Sequence, residues 1–497
     1  MGQIASFRKG SKMVTENVHE RASKTMTSPS TGLIPNQVGF WGLVFQGLGG
    51  IAPIGIFFAL IGTANFVQGA MALVFIVGFI GVLLSANTLY WYSRKIANAR
   101  GYYGYVKDGL GNHAATFTAY SYVFYAASNA AGLILFYLVG FSGSINLVFN
   151  TNFPWWTGII FAGMGLAVVF YGMWSGLKPS IRVMIALGLL QMAVLTVISI
   201  IFIVKAPDNS IKPFTPYTGI SALFLGFVTG GYLAYGGYGS IISLGEETKA
   251  PNKTVGKALI TILIIGAFAW ILASYATAVA WGLGNMKSFV TAEVPAAILT
   301  NRYIGVGATA VMTLLYDIVI YTLLNNFLTS GSRVVYAMGR DNLLPASLSK
   351  VDPKRGVPVG GIVAITGITI LLAGISTAIL VTKYGVPNGI IDSYIVLGIL
   401  TTLLALLVHG MASISIIWSG IKKRFGNLNG GKITLLIIVP IISVVLTIAA
   451  VYYAILGITF PFAAAPIIFA LFCIVLVIAL AIRRNKVPEL LPIGEIK

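Results

Sequence analysis

Charge is what this sequence has least of: charged residues make up 9% of 497, and only 13 are acidic. A set of soluble domains would carry roughly a quarter, so that organisation is excluded. One cysteine, Cys473, lies inside an apolar run, which excludes a disulfide framework and any cysteine-rich metal site. Three histidines leave little for metal chemistry, and neither a metal nor a cofactor is expected. No HExxH, GxSxG or paired His/Cys set supports a membrane-embedded enzyme, and no GxxxxGK[ST] loop supports direct ATP hydrolysis. What is present is apolar, at 57% hydrophobic residues and a mean hydropathy of +0.90. Most of the chain must therefore sit in a lipid bilayer. The net charge of +19 would suggest nucleic acid in a soluble protein. Here the cations have a topological explanation, given next, and no nucleic-acid partner is expected.

Crossing a hydrocarbon core of about 30 Å takes about 20 apolar residues. Twelve stretches qualify, at 38–62, 66–92, 114–140, 155–175, 181–204, 220–244, 258–282, 305–330, 359–382, 391–419, 433–456 and 462–482. The expected class is an all-α multi-pass membrane protein. Residues 1–37 are polar, without the apolar core of a secretory signal, and read as a disordered cytosolic tail. Residues 483–497 read as a second cytosolic tail. With the N-terminus inside, 27 of the 32 Lys and Arg fall in cytosolic segments, against five outside. That asymmetry sets the expected orientation, in the plasma membrane with both termini cytoplasmic. The one N-glycosylation sequon, at Asn252, then lies inside, where it would not be modified.

Two spans carry clusters that weaken a helix. The first contains Gly47, Gly49, Gly50, Pro53 and Gly55; the sixth contains Gly230, Gly231, Gly236, Gly237 and Gly239. Glycine alone serves close packing in membranes, but these clusters fall in the first helix of two successive five-helix sets. Because five is odd, the second set enters the membrane from the opposite side. The expected layout is a 5+5 inverted repeat, 38–204 and 205–419, followed by helices 11 and 12 over 420–482. Interrupted helices at matching places in inverted repeats point to a substrate site near the midplane. A break frees N–H groups on one half-helix and C=O groups on the other, and freed backbone cannot face lipid. A zwitterion suits both ends. Its carboxylate would meet amides near Gly55, and its ammonium would meet carbonyls at Gly49, Gly50 and Ile51 and at Ala234, Tyr235 and Gly236, next to Gly237.

These residues resemble the amino acid-polyamine-organocation (APC) superfamily, with its leucine-transporter type of inverted-repeat fold. The resemblance rests on the first break ending in Gly55-Ile56-Phe57 and on Tyr235-Gly236-Gly237-Tyr238 followed by Glu246-Glu247-Thr248-Lys249-Ala250-Pro251. It rests also on Ser332 to Asp341 with Leu344-Pro345 and Val357-Pro358, similar to the family's cytosolic loop after helix 8. Ala99 to Tyr105 is a weaker match. Where many members carry Gly-x-Gly in the first break this chain has Pro53-Ile54-Gly55, so one N–H is lost. The resemblance implies alternating access, with helices 1 and 6 rocking around the site. Sodium-coupled relatives offer hydroxyls on helix 8 where this chain has Tyr316, Val319 and Ile320, which implies that this cation site is absent. Proton-coupled relatives can place a lysine in helix 5 where this chain has Gln191, which cannot titrate.

A carboxylate at mid-membrane costs about 2.5–3.5 kcal/mol on insertion scales, so Asp317 asks for a reason. It recurs with Tyr321, Asn325 and Thr329 at a four-residue spacing, as one polar stripe. The stripe is either a structural anchor or a proton acceptor beside the substrate cavity. His409 could titrate with Asp317 or serve as a packing residue. Glu246 and Glu247 end the sixth helix, either solvated or paired with Arg333 as a cytosolic gate. Pocket contacts are expected from Ile51, Ala52, Tyr125, Tyr235 and Leu324, a mostly apolar set. The expected function is secondary transport of a small neutral amino acid or related amine, with a proton as coupling ion or by exchange. A polyamine or organic cation is the alternative, and it would want a buried acid in the breaks that the sequence does not supply.

Overall fold

In the computed structural model, residues 32–292, 294–482 and 490 are described. Both expected tails lie largely outside them, so residues 1–31 and most of 483–497 carry no structural account. The described chain is helical, with one isolated backbone bridge between Val38 and Thr248.

Among the described residues, eleven helices are long and apolar enough to cross a bilayer. The first is α1 (Phe40–Ile51) and α2 (Ile56–Val67), joined by a 3-10 turn over Pro53–Gly55. Then come α3 (Met71–Ser93), the short α4 (Tyr102–Leu110), α5 (Asn112–Phe149), α6 (Thr157–Trp174) and α7 (Leu177–Lys205). The sixth expected span is the one that does not count as a continuous helix. It runs as α8 (Ile220–Gly226), a π turn over Phe227–Gly231, a 3-10 turn over Leu233–Tyr235 and a 3-10 helix over Tyr238–Glu247. The twelve expected crossings are thus eleven long helical spans, the first of them interrupted at Ala52–Gly55, and one more fully broken path. Beyond it lie α9 (Pro251–Trp281), the short α10 (Met286–Thr291) and α11 (Pro295–Tyr303), then α12 (Val306–Arg340) and α13 (Val359–Tyr384). Last come α14 (Asn388–Ile421), α15 (Gly430–Ile433) running through a π turn into α16 (Val439–Ile455), and α17 (Ala464–Ile482).

One boundary differs from the sequence expectation for a physical reason. Hydropathy ends the eighth span at residue 330, but α12 continues helically to Arg340. The extra turns are buried against protein: Ser332 and Arg333 are almost fully enclosed. The stretch expected as a loop is the C-terminal end of a helix, held by polar partners where apolar periodicity has stopped.

The core is built by α5 against α12 and α14, and by α9 against α3, with α1 wedged between α7, α9 and α12. At the centre the two broken spans touch. A Cβ on Gly50 would lie 2.9 Å from the Gly237 Cα, and one on Gly237 would lie 2.8 Å from the Gly50 Cα. Gly237 is also left-handed, at φ 85°, which only glycine adopts freely. The outermost helix, α17, exposes Ile467, Leu471, Ile474 and Val475, as a lipid-facing helix does.

Gly237→Ala combines φ strain with a backbone clash and should cost on the order of 1–3 kcal/mol. Thermal unfolding of the purified protein is expected to show a lower midpoint. Gly367→Ala in α13, where a Cβ would meet nothing within 4 Å, is expected to hold or raise it.

Candidate functional site

The first break is dictated by Pro53. Had α1 continued, the N–H of residue 53 would have bonded the Gly49 carbonyl, and proline has none. The chain turns instead at Ala52, which is left-handed (φ 53°, ψ 72°), with its N–H on the Leu48 carbonyl at 2.9 Å. Pro53 then opens the next turn, where its fixed φ is welcome. The amides of Ile54 and Gly55 start that turn with no helical acceptor, and the carbonyls of Gly49, Gly50 and Ile51 end α1 with no helical donor. In the sixth span the Gly236 N–H closes on the Leu233 carbonyl at 2.8 Å, after which Gly236 is extended and Gly237 reverses the path. The Trp270 indole N–H donates to the Ala234 carbonyl at 2.8 Å, which fixes that carbonyl's direction.

Asn326 lies between the breaks. Its amide nitrogen donates to the Gln46 carbonyl at 2.5 Å. Its oxygen lies 3.1 Å and 3.2 Å from where a Cβ of Gly50 or Gly237 would be. A cavity of about 660 Å³ opens from the breaks. Gly50, Ile51, Ala52, Gly55 and Ala234 line it, together with aromatic walls from Phe58, Phe136, Tyr137, Trp270, Tyr316 and Tyr394. Phe58 stacks on Tyr316 at 3.8 Å between ring centroids, and Phe136 meets Tyr394 at 4.9 Å. No Asp, Glu, Lys, Arg or His is among the described lining residues.

The other end of the bundle is shut by three bidentate ion pairs. Arg333 binds Glu247 at 2.9 and 3.1 Å, with both side chains 1% exposed. Arg340 binds Glu246 at 2.7 and 3.1 Å, and Glu246 also accepts the Ala99 N–H at 2.9 Å. Arg100 binds Asp341 at 2.7 and 2.6 Å, and Tyr103 donates to the same carboxylate at 3.0 Å. Burial, and then the Asp341 charge, push the Tyr103 phenol well above its ordinary pKa, so it stays a donor. The Glu247 carbonyl accepts the N–H groups of Gln37 and Val38 at 2.7 and 3.0 Å, which ties the chain ahead of α1 to the same point. Arg333 stands ten residues beyond the cavity wall at Leu323, about 15 Å along the helix.

The amino acid permease family model matches residues 42–492, nearly the whole length of the chain. The chain belongs to the amino acid permease family. This permease is 23% identical over 378 residues to the branched-chain amino acid permease BcaP of Bacillus subtilis (strain 168), covering 70% of this chain and 76% of that one. It is 24% identical over 367 residues to the human large neutral amino acids transporter small subunit 2, covering 69% and 66%. It is 26% identical over 345 residues to cationic amino acid transporter 5 of Arabidopsis thaliana, covering 64% of this chain and 57% of that one. Among solved structures, a mutant of the Eremococcus coleocola manganese transporter superposes with a TM-score of 0.53 at 11% identity, covering 93% and 98%. That likeness shows the fold alone: the inverted-repeat transporter fold with broken helices 1 and 6. The permease is a multi-pass membrane transporter rather than an enzyme.

The structure distributes the sequence-expected residues unevenly. Gly50, Ile51, Ala52, Gly55 and Ala234 come together on the cavity wall. Gly49 packs by its α-carbon face toward Met184 and the Thr322 carbonyl. Tyr235 is fully buried and donates to the Phe75 carbonyl at 2.8 Å, so it anchors the sixth span instead of lining the cavity. Leu324 is buried one position from the lining residue Leu323. Tyr125 and Gly237 lie in a separate, water-sized space shared with Tyr102, Tyr122, Phe327 and His409. Gly236 lies beside them in chain order.

Asp317 and Tyr321 face away from the central cavity, into a second one between α6, α7 and α12. Asn325 accepts Thr329 at 3.4 Å and donates to Ser180 at 2.9 Å, so the lower part of the stripe anchors α12 to α7. Gln191 is buried on α7 and lines neither cavity. His409 is satisfied: Nδ1 pairs with the Ala405 carbonyl at 2.8 Å and Nε2 with the Tyr102 hydroxyl at 3.0 Å. It stands apart from Asp317, beside Tyr238.

Sequence reasoning did not find Asn326, Trp270 or the aromatic walls. Two adjacent asparagines inside a span were the available signal for the first. An aromatic residue in a membrane helix carries no mark of whether it faces lipid, protein or cavity.

Breaking a buried ion pair by removing one partner costs about 3–5 kcal/mol, whereas replacing both is far milder. Arg333→Met alone should therefore destabilise the permease strongly, and adding Glu247→Met should recover most of the loss. A thermal-unfolding double-mutant cycle on the purified protein measures both.

Proposed function

We propose that this permease is a secondary active transporter of a small neutral amino acid or related amine, working in the plasma membrane by alternating access. One observation carries the reading. Both broken spans contribute residues to one cavity whose described walls hold aromatic and aliphatic side chains but no charge. A carboxylate is matched by the Gly55 amide at a half-helix start on the cavity wall, and an ammonium by the carbonyls of Gly50 and Ile51 that end α1 and by the backbone near Ala234. The substrate's side chain would pack on Ile51, Phe58, Ala59 and Leu323, where a charge would be desolvated without a partner. The names of the branched-chain and large neutral relatives support the same class. A polyamine or other organic cation is the alternative, supported by the cationic relative's name. It would need an acid in this cavity, and Asp317 faces another.

The repeats run over 38–204 and 205–419, with helices 11 and 12 as an addition. The end closed by Glu246, Glu247 and Arg333 is the cytosolic gate, supported by the excess of cations at that end. In this reading the substrate enters from the opposite side. The second half of the sixth span must then part from α12 before release. Transport is proton-coupled or an exchange. If a proton is the coupling ion, Asp317 is its site, because Tyr137 and Ile320 form a wall common to its cavity and the central one.

Reconstituted in liposomes, the protein is expected to take up leucine, isoleucine or valine and to leave arginine outside. Ala59→Trp, which fills the cavity, should cut that uptake at least tenfold without loss of folded protein. Putrescine uptake with no amino acid uptake would reverse the assignment. For coupling, Asp317→Asn should abolish accumulation driven by a pH gradient while sparing amino acid counterflow. Accumulation equal to that of the unmodified protein would remove Asp317 from the proton path.

A further inference from the structure

The second cavity is larger and more apolar than a proton site at Asp317 requires. It measures about 510 Å³ and lies between α6, α7 and α12. Its walls are largely apolar, from Phe161, Met164, Val168, Val183, Leu187 and Ile320. Phe161, Met164, Val168, Val183 and the neighbouring Tyr171 are 37–72% exposed on the outside of the bundle, so the cavity opens laterally, on the face that lipid covers. At its inner wall stands Asp317, 8% exposed, and neither of its carboxylate oxygens has a hydrogen-bond partner among the described residues. The titratable groups facing it are the phenols of Tyr137, Tyr171 and Tyr321, and no Lys, Arg or His is among the described lining residues.

An unpartnered carboxylate in an apolar, protein-walled space selects for a positive ligand that brings its own apolar body. A metal ion does not fit, because no group of three or more His, Cys, Asp or Glu side chains gathers among the described residues. A phospholipid headgroup does not fit either. Asp317 is the twelfth residue of α12, about 17 Å along that helix from its start, which is the depth of the hydrocarbon core rather than of the headgroups. A single-chain lipophilic ammonium compound satisfies both demands, since it partitions into the bilayer, enters through the lateral opening and pairs with Asp317.

We propose that the cavity between α6, α7 and α12 is a second binding site, for a lipophilic primary amine whose ammonium pairs with Asp317 and whose apolar body fills the space lined by Phe161, Met164 and Leu187. The site is separate from the central cavity, and its occupant holds α6 and α7 against α12 at Asp317.

The test is equilibrium binding of radiolabelled 4-phenylbutylamine to the full-length protein in phosphatidylcholine nanodiscs, with 4-phenylbutanol as the uncharged counterpart. Saturable binding is expected, with the alcohol a poor competitor. Asp317→Asn should weaken amine binding at least tenfold. Gly165→Phe should weaken it similarly while keeping the carboxylate, because Gly165 lines the cavity and its Cβ would only touch Ile320, at 3.8 Å, so that a phenyl ring there takes up cavity space. Excess leucine should not displace the amine, and repeating the measurement in phosphatidylethanolamine nanodiscs should give the same affinity. Equal binding of amine and alcohol, or unchanged binding in both variants, would overturn the proposal. Displacement by leucine would overturn it by placing the amine in the central cavity, and loss of binding in phosphatidylethanolamine would assign the site to a lipid headgroup. If Asp317→Asn does not fold, Gly165→Phe and the alcohol comparison still decide the matter.

Discussion

A polypeptide that interrupts a helix inside a bilayer must give the freed amides and carbonyls something to bind, because lipid offers nothing. The rest of this structure follows from that constraint. The breaks at Ala52–Pro53 and Gly236–Gly237 are set against each other, so that each shields part of the other's open backbone. What they leave uncovered is placed on a cavity instead of on lipid. Asn326 and Trp270 take up the carbonyls of Gln46 and Ala234 and fix the broken segments in place. The glycine contact at Gly50 and Gly237 is the geometric condition for the arrangement. Any side chain there would separate the two spans and open both breaks.

The same broken spans must move if transport is by alternating access, and in the proposed reading the polar end of the bundle is the part that must open. The Arg333–Glu247 pair holds the last turn of the sixth span to α12, while Arg340–Glu246 and Arg100–Asp341 add the segment ahead of the third span. A buried ion pair contributes little net stability once desolvation is counted, yet it is costly to leave half-made. Such a pair favours fully closed over partly open, which is what a gate between two discrete states needs. An apolar seal of the same area would be stickier and would not define a single closed geometry.

Much of the fold was legible in the sequence because the bilayer enforces length and apolarity on each span. Eleven of the twelve expected crossings are long helical spans among the described residues, and the two that are broken, the first and the sixth, are those whose glycine clusters announced it. The end of α12 was misjudged, since hydropathy cannot see a helix that continues inside protein on Ser332 and Arg333. Of the candidate site, the part that follows from the helix breaks was legible: Gly50, Ile51, Ala52, Gly55 and Ala234 line the central cavity. The side-chain part was not. Tyr235 and Tyr125 are as polar and aromatic as Tyr137 and Tyr316, but only tertiary packing decides which of them line the central cavity and which are buried away from it. Asp317 stood out as an unexplained carboxylate, and its helix face, one position away from the central wall at Tyr316, was beyond what a four-residue spacing can specify.

The central claim is that backbone, not a charged side chain, recognises the ends of the substrate. A cryo-electron microscopy structure of the protein with bound leucine tests this most directly. The account predicts the leucine carboxylate within hydrogen-bond distance of the Gly55 amide, its ammonium on the carbonyls at the end of α1 or near Ala234, and its side chain among Phe58, Ala59 and Leu323. Leucine bound elsewhere, or with its carboxylate on an Arg or Lys side chain, would contradict it.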